Sequence, residues 1–141
     1  MTADAPVAVK ICGLTVPEEA RACAELGVWG IGVVLAAGSP RRVDADRAAE
    51  VLAAVPDGVA RVGVFVAAPP EEVASVAERA GLTHVQLHEG DPAEARRACG
   101  LPVIESVRVS GPAALRRARE SVADMVMLDA AVAGRHGGTG R

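Results

Sequence analysis

Ala60-Arg61-Val62-Gly63-Val64-Phe65-Val66, the run from Pro70 to Ala80, and His84-Val85-Gln86-Leu87-His88 together decide the fold. The first and third segments are short, apolar and rich in valine, which suits buried strands and leaves too little length for a helix. The middle segment opens on Pro70 with Glu71 and Glu72 behind it and stops at Gly81. A proline and acids in the first turn, with glycine just past the end, are the signals of a helix that starts and finishes there. Two strands joined through a helix run parallel, because a crossover of that length returns the chain to the same end of the sheet.

The same alternation extends in both directions. Strands are expected over Val7–Cys12, Trp29–Leu35, Val103–Val109 and Met125–Asp129, and helices over Pro17–Leu26, Ala45–Val55, Pro92–Cys99 and Pro112–Ser121. Thr15 is expected to cap the first helix, Asp91 the fourth, and Ser110 stands ahead of the fifth. Gly27 is expected to end the first helix as Gly81 ends the third. Six strands alternating with five helices imply a parallel sheet, and continuous apolar strands imply cover on both faces. Doubly wound sheets and barrels share this order of units. A closed eight-unit barrel takes about 250 residues, and the 141 residues here run out after strand six and a glycine-rich stretch from Gly134 to Gly140. The pattern gives an α/β fold with a parallel sheet of about six strands, in which residues 1–141 form one domain. It leaves open a doubly wound sheet or an incomplete parallel (βα) barrel of the TIM type, and the barrel is the expectation once the motif resemblance described below is added.

Composition narrows the function. One Trp, one Phe and no Tyr leave no aromatic platform for stacking bases, and a net charge of -3 argues against a duplex-binding surface. Fourteen of the fifteen basic residues are arginine, which suits planar recognition of carboxylate or phosphate. Cys12, Cys23 and Cys99 are widely spaced and show no metal-ligand pattern, as in a reduced cytoplasmic protein. Met1 to Pro6 lack the features of a secretory signal, and no apolar run reaches the roughly 18 residues of a membrane span.

In parallel α/β folds ligands bind at the carboxyl ends of the strands. Those ends here are Lys10-Ile11-Cys12-Gly13-Leu14-Thr15, Gly38-Ser39-Pro40-Arg41-Arg42, Gln86-Leu87-His88 and Leu128-Asp129. Each residue has a plainer reading. A cysteine at a strand end is commonly a small packing residue, Asp129 could close an Asx turn, and His88 suits a hydrogen-bonded core histidine equally well. Arg41 and Arg42 could be a solvated pair, and Gly137 to Gly140 a plain turn. Cys23 and Cys99 are assigned to packing, Arg42 to the surface, and Arg116, Arg117 and Arg119 to the wet face of a helix.

Taken in order, Val9-Lys10-Ile11-Cys12-Gly13-Leu14-Thr15, Gly38-Ser39-Pro40-Arg41-Arg42-Val43, Arg61 to Val66, Val85-Gln86-Leu87-His88 and Leu128-Asp129 with Gly137-Gly138-Thr139-Gly140 resemble the motifs of the phosphoribosylanthranilate isomerases of tryptophan biosynthesis. The resemblance implies a (βα)8 barrel, an Amadori rearrangement of an anionic aminosugar, and no metal or organic cofactor. It implies Cys12 as general base and Asp129 as general acid. Arg41 would meet the anthranilate carboxylate, His88 would line the pocket, and Gly137 and Gly138 would lie beside the substrate. A thiolate can remove a carbon-bound proton, and a carboxyl in an apolar pocket holds its proton to higher pH.

Three departures carry expectations. Gly32-Val33-Val34-Leu35 replaces the phenylalanines usual in that family, altering the pocket wall; Glu89 follows His88 where glycine is usual, reshaping a loop; and Glu105 inverts a local charge. The family builds its phosphate site after strands seven and eight. The alternative to an active isomerase is an inactive homologue or fragment whose strand edges pair with a second copy or a complementing C-terminal piece. The partners expected are thus a phosphorylated aminosugar and one of those chains, with no nucleic acid and no membrane.

Overall fold

The computed structural model describes residues 6–130. Its six strands form one parallel sheet in chain order: β1 (Lys10–Cys12), β2 (Gly30–Val34), β3 (Ala60–Val66), β4 (His84–His88), β5 (Val103–Val109) and β6 (Met125–Ala130). Between them run α1 (Pro17–Glu25), α2 (Ala45–Ala53), α3 (Pro70–Ala80), α4 (Pro92–Cys99) and α5 (Pro112–Arg119). The sheet curls into six parallel strands of a half-barrel with the helices outside, so the expected α/β barrel class and strand number hold.

The registers determine which side chains share a face, since residues paired across parallel strands point the same way and alternate along each strand. Cys12 pairs with Gly32, Gly32 with Val62, and Val62 with His84. His88 pairs with Ser106, Ser106 with Met127, and Arg108 with Asp129. This set faces the concave interior. The opposite set, including Ile31, Val33, Phe65, Val85, Leu87 and Val103, packs under the helices with Ala20, Ala48, Val51, Leu52, Val73 and Ala77 in the main core. At the amino end of the interior, Ala60, Val62 and Ile104 form a smaller core with Trp29, Met125 and Met127.

The helix signals mostly hold. The Asp91 carboxylate accepts from Ala93 N at 2.8 Å and Glu94 N at 3.3 Å, and Gly81 closes α3 in the left-handed conformation (φ 64°). Thr15 does not cap α1. The helix starts at Pro17 with Val16 at the cap position, so the Thr15 hydroxyl stands one residue too early. Its carbonyl instead accepts from Arg47 Nε at 3.1 Å. Ser110 is likewise displaced by Gly111. Strand β1 begins at Lys10, later than the expected Val7, because Val7 and Val9 lie on an edge without cover (87% and 48% exposed). Helix α5 buries no residue. It is held through the side chain of Glu105, which accepts from Arg117 Nη2 at 3.1 Å and from the Ser121 hydroxyl.

Candidate active site

Cys12 and Asp129 both face the interior at the carboxyl ends of their strands, on β1 and β6. Their heights follow from the stagger of the sheet. Carried across the registers through Gly32, Val62 and His84 and on through β5, the level of Cys12 falls just ahead of Met125. Strands of a closing barrel tilt, climbing about one residue per strand. Lys10 gives the direction of climb. Its register leads through Gly30 and Ala60 to a point before His84, yet its Nζ donates to Gln86 Oε1 at 2.5 Å. Five such steps raise the level on β6 by about five residues, to the end of the strand where Asp129 stands.

Space for the thiol comes from β2. A Cβ placed on Gly32 would lie 2.8 Å from Cys12 Sγ, so only glycine leaves the sulfur room on that side. Gly13, just after β1, has φ +84° and lies under the Arg41 guanidinium, whose Nη1 would be 2.2 Å from a Cβ there. Arg41 Nη1 donates to the Cys12 carbonyl oxygen at 2.9 Å. The loop after β2 thus brings an exposed cation to the end of β1, as a residue receiving a carboxylate from solvent requires.

Below this mouth lies a polar layer that sequence reasoning left without a role. Because an ammonium only donates, Gln86 Oε1 faces Lys10 and the amide nitrogen faces the other way. That nitrogen lies 3.2 Å from His88 Nε2 and 3.3 Å from Ser106 Oγ. His88 Nε2 therefore accepts, which places the ring proton on Nδ1. The signal available in sequence was spacing: Lys10 lies two residues from Cys12, and Gln86 two from His88, so each pair shares a strand face. His88 is buried and hydrogen-bonded, as the core reading expects.

Higher up the interior, Arg108 Nε and Nη2 and Asp129 Oδ2 are buried without a hydrogen-bond partner among the described residues. Lower down, His84 meets the edge of Trp29 at 5.1 Å between ring centres. Burial pushes its pKa below the usual value, opposed by the charge of Asp124. Asp124 is itself held below the usual carboxylate range by the Val103 N–H and then by Arg96.

Several expectations need correction or fall elsewhere. The inverted local charge, Glu105, faces outward to Arg117 of α5 and to Ser121. Val33 packs in the outer core, so Gly32 and Val34 alone represent that part of β2 on the inner wall. Cys23 and Cys99 pack against the main core as expected. Gly137 and Gly138 lie outside the described residues. Two shallow grooves, one lined by Leu115, Val126 and Leu128 and one by Ala77, Leu82 and Cys99, lie on the helix side away from Cys12. Among the described residues no group of three His, Cys, Asp or Glu side chains is placed to hold a metal ion, and no helix is long and apolar enough to cross a membrane.

A parallel half-barrel with helices outside, and with a thiol, a carboxylate and an arginine at its strand ends, defines a TIM-type barrel protein. Residues 9–141 match the model of the N-(5'-phosphoribosyl)anthranilate isomerase family, and the chain belongs to that family. It is 46% identical over 136 residues to an N-(5'-phosphoribosyl)anthranilate isomerase of Rubrobacter xylanophilus, covering 94% of this chain and 66% of the relative. A solved phosphoribosyl anthranilate isomerase of Thermus thermophilus superposes with a TM-score of 0.80 at 40% identity, over 91% of this chain and 64% of that one. A second, solved in complex with reduced 1-(o-carboxyphenylamino)-1-deoxyribulose 5-phosphate, gives 0.79 at 36% identity, over 89% and 66%. The chain thus spans about two thirds of the length of the relatives it matches.

Proposed function

We propose that this chain carries the acid–base centre for the Amadori rearrangement of N-(5'-phosphoribosyl)anthranilate to the 1-amino-1-deoxyketose. The observation that supports the reading is the shared inner face of Cys12 and Asp129, each at the carboxyl end of its strand, in a chain of this family. Asp129 delivers a proton to the furanose ring oxygen. The C1–O bond breaks as the nitrogen lone pair forms C1=N, giving the open-chain Schiff base. The Cys12 thiolate then removes the C2 proton, and the C–H electrons form C1=C2 as the C=N pair returns to nitrogen. Loss of the enol proton and protonation at C1 give the ketose, with no net oxidation. General acid and base catalysis of this kind contributes roughly 10²–10⁴-fold per group.

Arg41 takes the anthranilate carboxylate, supported by its exposed guanidinium beside the Cys12 carbonyl. His88 lines the pocket, supported by its place in the layer with Gln86 and Ser106. Gly137 and Gly138 flank the substrate in the same reading. Residues 1–141 are taken as part of one barrel domain working in the cytoplasm, a setting that suits three unpaired cysteines. Among the described residues β1 and β6 have one strand neighbour each, so a second copy or a C-terminal segment has strand edges to join.

The test is loss of phosphoribosylanthranilate fluorescence on adding the chain. Turnover abolished by Cys12→Ala and by Asp129→Asn supports the reading. No turnover by the unaltered chain removes it, and an active Cys12→Ala variant removes the role of the thiol.

A further inference from the structure

We propose that Arg108 is a second ligand-binding arginine, one that takes oxygens of the sugar portion of the substrate beside the oxygen served by Asp129. The assignment rests on the role given to Asp129 above and extends it to a neighbouring residue. Arg108 lies on β5 two residues beyond Ser106, so it shares the inner face, and its register partner on β6 is Asp129.

Three other arginines show what a structural arginine does here. Arg61 donates to the Gly81 carbonyl, Arg96 to Asp124 and the Val122 carbonyl, and Arg117 to Glu105. Each has an acceptor. Arg108 Nε and Nη2 are buried without one, and the adjacent Asp129 Oδ2 is buried without a donor. Although they are cross-strand neighbours, the two side chains do not meet each other's need. Arg108 as a whole is half-buried, but two of its three guanidinium nitrogens are out of water without an acceptor, which is unfavourable, and so is a buried carboxyl oxygen with no donor.

What is missing on this strip is therefore one group that accepts from Arg108 and one that donates to, or accepts a proton with, Asp129. A hydroxyl does both through a single oxygen, and a chain of neighbouring hydroxyls matches the parallel N–H groups of a guanidinium. The ligand chemistry is that of a polyol or open-chain sugar. Arg41 belongs to another loop at the end of β1, so the two arginines divide the substrate: the aryl carboxylate to Arg41, the sugar oxygens to Arg108. In the reaction, Arg108 would hold the sugar so that its ring oxygen lies at the Asp129 carboxyl.

Calorimetric titration of the full chain with ribitol 5-phosphate tests this, since that probe carries the sugar oxygens and no aryl group. Arg108→Met should weaken binding by about 10–100-fold, the effect of losing a charged hydrogen bond. Arg108→Lys should fall between, and Arg41→Met should leave binding of this probe unchanged. The melting temperature of Arg108→Met should equal or exceed that of the unaltered chain, because two buried N–H groups without acceptors have been removed. Binding unaltered by Arg108→Met, no binding by the unaltered chain, or a melting temperature lowered in both Arg108 variants overturns the assignment. Arg108-dependent binding of ribitol 5-phosphate without any turnover of phosphoribosylanthranilate would keep this assignment and remove the isomerase reading.

Discussion

Arg41 Nη1 donates to the carbonyl oxygen of Cys12 at 2.9 Å, and the guanidinium lies across Gly13. The cation from the loop after β2 is therefore tethered, by one exposed hydrogen bond, to the backbone of the residue that carries the thiol.

Gly13→Ala should separate the two. The new Cβ would meet Arg41 Nη1 at 2.2 Å, and the side chain would swing away because its far end is free to move. The backbone strain of alanine at φ +84° should cost about 1 kcal/mol. Denaturant midpoints should show that modest loss, while the KM for phosphoribosylanthranilate rises at least about tenfold. An unchanged KM would detach Arg41 from substrate binding.

Gly32→Ala acts on the sulfur itself. Its Cβ would be 2.8 Å from Cys12 Sγ and 3.3 Å from the Cys12 Cα, and two paired strands cannot move apart without losing their hydrogen bonds. The thiol must rotate, with overpacking costing about 1–3 kcal/mol. Alkylation of Cys12 by iodoacetamide should slow and kcat should fall about tenfold or more. Alkylation at the original rate would show that the sulfur already points elsewhere.

Two groups set the acid side of the stability profile. His84 has its pKa lowered by burial, so the unfolded chain binds the proton more readily. Stability from His84 is complete above the usual 6.5 and falls as pH drops below it. Asp124 is lowered chiefly by the Val103 N–H, so its contribution is complete above the usual 3.8 and is lost as pH falls through the lower folded value. Asp124→Asn should cost about 1 kcal/mol at neutral pH, and urea midpoints measured across pH should lose their lowest step in that variant. Persistence of the step would place its origin in another carboxyl.

Ala67 follows β3 with φ 49°, and its N–H donates to the His88 and Glu89 carbonyls. Glycine removes the side-chain clash of the left-handed conformation, about 1–2 kcal/mol, against a backbone entropy cost of about 0.5–1 kcal/mol. Ala67→Gly should stabilise by roughly 0.5 kcal/mol, seen as a higher urea midpoint at constant slope. A lower midpoint would mean that the Ala67 methyl contributes packing.

Elements were legible wherever a chemical terminator coincided with a change of pattern. Pro70, Gly81 and the valine-rich flanks place β3, α3 and β4 to the residue, and Asp91-Pro92 does the same for α4. The start of β1 was not legible, because Val7 and Val9 have the composition of a strand but lie on an open edge. Within the site, Cys12, Arg41 and Asp129 stood out as reactive groups at strand ends. The Lys10–Gln86 bond crosses from β1 to β4 and depends on barrel curvature, which no local pattern encodes. Arg108 was overlooked for a related reason: an arginine near a strand end reads as surface until the register places it beside Asp129. Glu105 was legible only as a charge inside an apolar strand, and it is the alternation along β5 that turns it outward to Arg117.

Helix α5 buries no residue fully, and its contact with Glu105 runs through Arg117, whose side chain is 63% exposed. Its mooring relies on that ion pair and on half-covered side chains, whereas α1 to α4 bury apolar side chains against the sheet. Added salt screens an exposed ion pair and spares apolar burial, so rising ionic strength should loosen this one flank while the rest of the wall stays in place.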